Sequence, residues 1–134
     1  MHLTGVILVT YSATTEDIVV RVSPIYIDGQ SNMIDRRFVF SYFIRIENAG
    51  SETVRLLRRT WVIKDGNGNV DEVEGEGVVG KQPVIHSGYA HEYNSFCVLE
   101  TFEGSMEGAF LMERENGETF PVEIPRFQLR AASN

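Results

Sequence analysis

The sequence predicts an all-β domain, an immunoglobulin- or fibronectin-like sandwich of about seven strands, with a barrel as the alternative. Short apolar runs alternate at period two. Clusters of Gly, Asn and Asp separate them, which is turn chemistry. No segment carries a long, capped pattern of period 3.6. The 134 residues suit one domain over 1–134, long enough to bury a core without metal or disulfide staples.

In chain order, the first strand signal is Ile18-Val19-Val20-Arg21-Val22, rich in β-branched residues. Pro24 marks an edge strand or a strand break there. Asp28 to Asn32 reads as a turn or loop. Phe38 to Glu47 is the clearest strand: Phe38, Phe40, Tyr42, Ile44 and Ile46 fall on one face, and polar residues dominate the other. Val54 to Lys64 follows, with Leu57, Trp61 and Ile63 expected on one face beside Arg55 and Arg59. Asp65-Gly66-Asn67-Gly68-Asn69 then predicts a hairpin into Val70 to Val73. Ala90 to Leu99 is a further strand. Met106 to Arg114 and Glu118 to Ile124 form a last hairpin around Asn116-Gly117, which Phe127 and Leu129 extend beyond Pro125.

A formal charge of −7 argues against gripping phosphate backbones or anionic membranes. No nucleic-acid or membrane partner is therefore expected. The single cysteine, Cys97, allows no internal disulfide. The N-terminus lacks the basic start of a signal peptide, and no run approaches the roughly 20 apolar residues of a membrane span. The chain reads as cytoplasmic.

Gly75-Glu76-Gly77-Val78-Val79-Gly80 fits G-x-G-x-x-G, with Lys81 next. In a dinucleotide fold such glycines admit a pyrophosphate at a helix N-terminus. Here Pro83 and a β-rich context replace the helix. Successive amides in a turn can still nest an anion, so Gly75, Gly77, Gly80 and Lys81 are the candidate anion or pyrophosphate loop. The plainer reading, turn or bulge geometry, is preferred. Glu72, Glu74 and Glu76 share one face if extended, with neighbours about 6.6 Å apart. They are a weak candidate for a hydrated Mg²⁺ or Co²⁺, against the commoner reading as a solvated acidic face; no cofactor is expected.

His86, His91 and Cys97 match no zinc spacing. Trp61, preceded by Arg58 and Arg59, is either an interface hot spot or the core tryptophan of a sandwich, and the core is preferred. Arg59, on the same face, needs a carboxylate partner or a route to solvent. No nucleophile elbow, P-loop or zinc-protease motif appears.

Together these residues resemble the ApaG family. The resemblance runs through Leu56-Leu57, Arg59, Trp61, Ile63, Asp65 and Gly68, then Glu72-Val73, Gly75, Gly77 to Gly80 and Gln82-Pro83. It resumes at Gly88, Tyr93, Ser95, Leu99, Thr101, Gly104, Met106 and Gly108. It implies a fibronectin type III-like sandwich in a small bacterial protein. Family members carry an association with cobalt and magnesium resistance or efflux. Related domains in eukaryotic F-box proteins and in a partner of DNA polymerase delta look like protein-interaction modules, and the glycine loop is treated in the family as a nucleotide or pyrophosphate candidate. His86, His91 and Thr60 depart from the family pattern, which weakens any metal site built from histidine. The resulting expectation is a non-enzymatic binding module with a protein partner, its recognition loops at one end of the sandwich, and exposed edge strands through which two copies could pair. Nucleotide or pyrophosphate binding, metal-bridged or not, and an unrecognised nucleoside polyphosphate hydrolase are the alternatives.

Overall fold

The computed structural model describes residues 9–131. Nine strands form among them: β1 (Tyr11–Thr15), β2 (Ile18–Tyr26), β3 (Phe38–Asn48), β4 (Val54–Asp65), β5 (Val70–Glu76), β6 (Val84–Ile85), β7 (Ala90–Leu99), β8 (Glu103–Arg114) and β9 (Thr119–Arg130). They build two antiparallel sheets, one ordered β1-β2-β3-β7 and the other β5-β4-β8-β9, with β6 on the same edge of β4 as β5. The β-sandwich expectation holds. Nine strands rather than about seven arise because β1 and β6 were not read from the sequence. β1 carries no strong alternation, and β6 is only two residues long.

The period-two reading of β3 places Phe38, Phe40, Tyr42, Ile44 and Ile46 in the core, all buried. Facing them are Val54, Leu56, Trp61, Phe110, Met112, Val122, Ile124 and Phe127. Trp61 packs edge-on against Tyr42 and Phe127, with ring centroids 5.4 and 5.9 Å away. Each fully buried side chain of this size contributes about 1.5–3 kcal/mol relative to exposure. Trp61 is thus a core residue, 4% exposed.

One expectation needs correction. Leu57 and Arg55 do not share the face of Trp61. A bulge between Leu56 and Arg58 inserts one extra residue against β8, so Leu56 and not Leu57 turns inward. Of the edge or break that Pro24 marks, the edge is observed: β2 runs on to Tyr26. Pro24 pairs with Tyr42 of β3 but lies past Val22, the last β2 residue paired with β1, so among the described residues β2 is locally an edge there.

The sandwich is closed on one side and open on the other. β1 and β2 approach β9 closely. There Val9, Tyr11, Gln128, Leu129 and Arg130 line one cavity of about 240 Å³. On the other side β5 and β7 are the outer strands of their sheets and do not approach each other as β1 and β2 approach β9. A cavity of about 510 Å³ lies between Ile63, Asp65, Asn69, Val70 and Asp71 and the β7 end at Val98, Leu99 and Glu100. No helix of the described residues is long and apolar enough to cross a membrane.

Candidate functional site

β5 joins the two loops that the sequence singles out. They lie at opposite ends of this seven-residue strand rather than at one end of the sandwich. At about 3.3 Å per residue they are about 20 Å apart.

At the first end, Asp65 organises the hairpin. Its carboxylate accepts the N–H of Asn67 (2.8 Å), the N–H of Asn69 (2.9 Å) and the Asn69 side-chain amide (2.9 Å). Gly68 takes φ +87°, the left-handed residue that closes a three-residue hairpin loop. The Asn69 amide, followed by the backbone donors, holds the Asp65 carboxyl below the usual carboxylate range.

At the second end, the glycine loop plugs the β4 bulge. The Leu57 carbonyl accepts the Gly77 N–H at 2.8 Å and the Gln82 side-chain amide at 3.0 Å. Val78 and Lys81 exchange both backbone hydrogen bonds, at 2.8 and 3.0 Å, around Val79 and Gly80. Both central residues have positive φ, +48° and +76°, as a tight hairpin turn requires. Arg59 fixes the loop from below: its Nη1 donates to the carbonyls of Glu76 and Gly77, both at 2.9 Å. A Cβ on Gly75 would stand 3.0 Å from Arg59 Nη2, so this glycine leaves room for the guanidinium. Gly77, at φ +61°, has no space for a Cβ against the Lys81 carbonyl oxygen.

The loop's polar groups are therefore largely committed. The amides of Gly77, Val78 and Lys81 donate within the fold, and two loop carbonyls face Arg59. The sequence asked Arg59 for a carboxylate or a route to solvent; it is half-buried, and its guanidinium meets backbone carbonyls rather than a carboxylate. Gly80 alone of the three motif glycines has open space around it.

The pairing of β5 with β4 sorts its side chains. Asp71, Val73 and Gly75 lie opposite Ile63, Trp61 and Arg59 and face the other sheet. Glu72, Glu74 and Glu76 lie opposite Val62, Thr60 and Arg58 on the outer face, all exposed. They share a face, but no group of three or more His, Cys, Asp or Glu converges to hold a metal ion among the described residues. His86 instead sits 3.2 Å from the Thr53 hydroxyl, and His91 lies on β7.

β7 turns His91, Tyr93, Ser95, Cys97 and Leu99 toward the interior, opposite the core-facing residues of β3. His91 and Ser95 are four residues apart on an extended strand, about 13 Å, so they form no nucleophile–base pair. Burial, and then the neighbouring Lys81, hold the His91 imidazole below its usual value. Burial raises the phenols of Tyr42 and Tyr93, and the Tyr93 hydroxyl has no hydrogen-bond partner among the described residues. Burial pushes the Cys97 thiol up to about 11, which keeps it protonated and unreactive.

An ApaG domain model matches residues 28–114, which include β3 to β8 and both loops. The chain belongs to the ApaG family. Protein ApaG of Paramagnetospirillum magneticum is 53% identical over 119 residues, 89% of this chain and 92% of that protein. Protein ApaG of Sinorhizobium fredii is 50% identical over the same shares. A crystal structure of an ApaA protein from Bordetella pertussis superposes with a TM-score of 0.83 at 42% identity, covering 85% of this chain and 93% of that one. The C-terminal domain of wzt, 8% identical with a TM-score of 0.55, covers 93% of this chain and 79% of that one and shares the fold alone. Within this ApaG domain, sequence reasoning found the glycine loop but not its receptor, the Leu57 carbonyl. The signal present was Gln82-Pro83, because both residues bond to the bulged part of β4.

Proposed function

We propose that this ApaG domain is a non-enzymatic protein-interaction module whose recognition surface is β5 with the loops at its two ends. The observation that carries this reading is the way both loops are held. Asp65 locks one turn, and Arg59, Gln82 and the Leu57 carbonyl lock the other. A rigid frame presenting fixed loops suits recognition with little ordering cost. Three of the loop's amides, those of Gly77, Val78 and Lys81, already donate within the fold, and Glu72, Glu74 and Glu76 add negative charge beside it, which favours a protein partner over a nucleotide. The family's association with cobalt and magnesium is then exerted through that partner, and not through an ion held by Glu72, Glu74 and Glu76.

The test is affinity capture from bacterial lysate with tagged protein, read by mass spectrometry. Val79→Glu and Glu74→Lys are the controls, since both positions are exposed and leave the core untouched. A partner recovered by the wild type and lost with either variant supports the reading. Identical recovery in all three, or titration by diadenosine tetraphosphate with saturable shifts confined to Gly75–Lys81, counts against it.

A further inference from the structure

Sandwiches of this kind leave sheet edges that can accept another strand. Here the four outer strands differ in how they are protected. β5 carries Asp71, Glu72, Glu74 and Glu76 within seven residues. β9 carries Pro121 and Pro125, and β1 has only five residues packed toward β9. β7 is ten residues long, pairs only with β3 among the described residues, and contains no proline. Its single carboxylate, Glu92, is drawn across the sheet to Arg45 at 3.2 Å. Phe96 and Val98 on its outer face are 56% and 48% exposed, beside Phe43 of β3 at 44%.

β7 also borders the open seam. Across it lies the inward face of β5, where Val73 turns toward the other sheet yet stays 43% exposed. The charge along the seam is ordered. Asp71 and Glu100 line its end near Leu99. Lys81 and His91 stand near one another at the opposite end. Among the described residues, none of Asp71, Glu100 and Lys81 has an ion-pair partner: the salt bridges join Arg21, Arg45 and Arg114 to other carboxylates.

We propose that this seam is a docking groove for an extended peptide segment of a partner protein, added as a strand along β7. The segment has apolar residues at alternate positions, a basic residue against Asp71 and Glu100, and an acidic residue against Lys81. The main-chain groups of β7 that point away from β3 supply the hydrogen bonds. Val73 on one side, with Phe96 and Val98 on the other, receives the alternate side chains. The two charged ends fix which way the segment runs. This inference rests on reading the domain as a protein-interaction module, and it names the groove and the chemistry of what enters it.

Random dodecapeptides displayed on phage, panned against the whole folded chain, test it. Enriched sequences are expected to alternate apolar residues, with Lys or Arg toward one end and Asp or Glu toward the other. A synthetic peptide of the enriched sequence should slow hydrogen exchange at every second amide of β7. With Asp71→Lys and Glu100→Lys together its affinity should fall about tenfold, and panning against that variant should select an acidic residue at the formerly basic end. Both positions are exposed, and an unchanged amide spectrum of the variant away from them confirms its fold. No enrichment, enrichment without the charge pattern, protection at β1 or at the loops instead of β7, or pairing of two copies through β7 would each overturn the groove. A partner captured from lysate whose binding ignores the charge reversal would leave the interaction module standing and remove only this groove.

Discussion

Replacing Gly77 and Gly80 separately by alanine tests whether the glycine loop is a structural plug. Both residues have left-handed backbones, with φ of +61° and +76°. An L-residue there costs about 1–2 kcal/mol. Gly80 has nothing within 4 Å of a would-be Cβ, so Gly80→Ala should cost no more than that. At Gly77 the new methyl would overlap the Lys81 carbonyl oxygen, which is also the acceptor of the Val78 N–H. Moving that oxygen away strains the hairpin, and forced overpacking of this kind adds about 1–3 kcal/mol. Gly77→Ala should therefore cost about 2–5 kcal/mol. Equilibrium urea unfolding measures both. With a slope of about 2 kcal/mol/M, the midpoint should drop by about 0.5–1 M for Gly80→Ala and about 1–2.5 M for Gly77→Ala. Equal losses, or a milder loss at Gly77, would refute the plug. A phosphate loop needs its glycines for access rather than for fit, and it predicts no such ranking in the absence of ligand.

Val79→Asn should stabilise the chain by about 1 kcal/mol, because Val79 has positive φ and is 65% exposed, and Asn-Gly suits this turn better than Val-Gly; thermal melting reads the gain. Asn48→Ala should destabilise by about 3 kcal/mol in urea. Its buried side chain donates to the carbonyls of Glu52 and Ile85 and accepts the Gly50 N–H, and all three would lose their partner. Cys97 predicts a loss of stability in alkali. Its folded pKa, about 11, lies above the ordinary thiol value of 9.0, so between those pH values the unfolded chain releases a proton that the fold retains. Stability from this group is full below pH 9 and falls by about 2–3 kcal/mol as pH rises to 11. Urea midpoints across that range should show this part of the slope disappearing in Cys97→Ala.

Much of the frame was legible because a strand with one buried face writes its period into the sequence. β3 is the clearest case: its five inward residues were assigned, and its neighbour β7 was bounded correctly at Ala90 and Leu99. The phase of β4 was legible from Arg59 to Ile63 but not across the bulge, since a bulge inserts a residue without any composition of its own and puts Arg55 and Leu57 out of phase with Trp61. β1 and β6 escaped for a different reason. Tyr11–Thr15 gains its extended form from pairing with β2 and packing toward β9, and Val84–Ile85 from bonding to β4, and neither tertiary effect leaves a local pattern. At the site, the turn chemistry of the glycines could be read directly. Their function as a plug could not, because the receptor is a main-chain carbonyl at Leu57 and any residue supplies a carbonyl. The inward Arg59 announced that something must satisfy it, and only the folded chain identifies the carbonyls of Glu76 and Gly77 as the acceptors.

The chain's two described ends bear on how such a domain can be spliced into other architectures. Val9 and Arg130 border the same small cavity on the closed side, opposite β5 and β7. A short linker could join them, and new ends could be cut at the exposed Asn116-Gly117 turn with the register of β8 and β9 kept. The same adjacency would let a host protein take up the whole sandwich within one of its loops, entering and leaving at neighbouring points. Such a cassette would stand on its closed side and turn its open side to the surroundings.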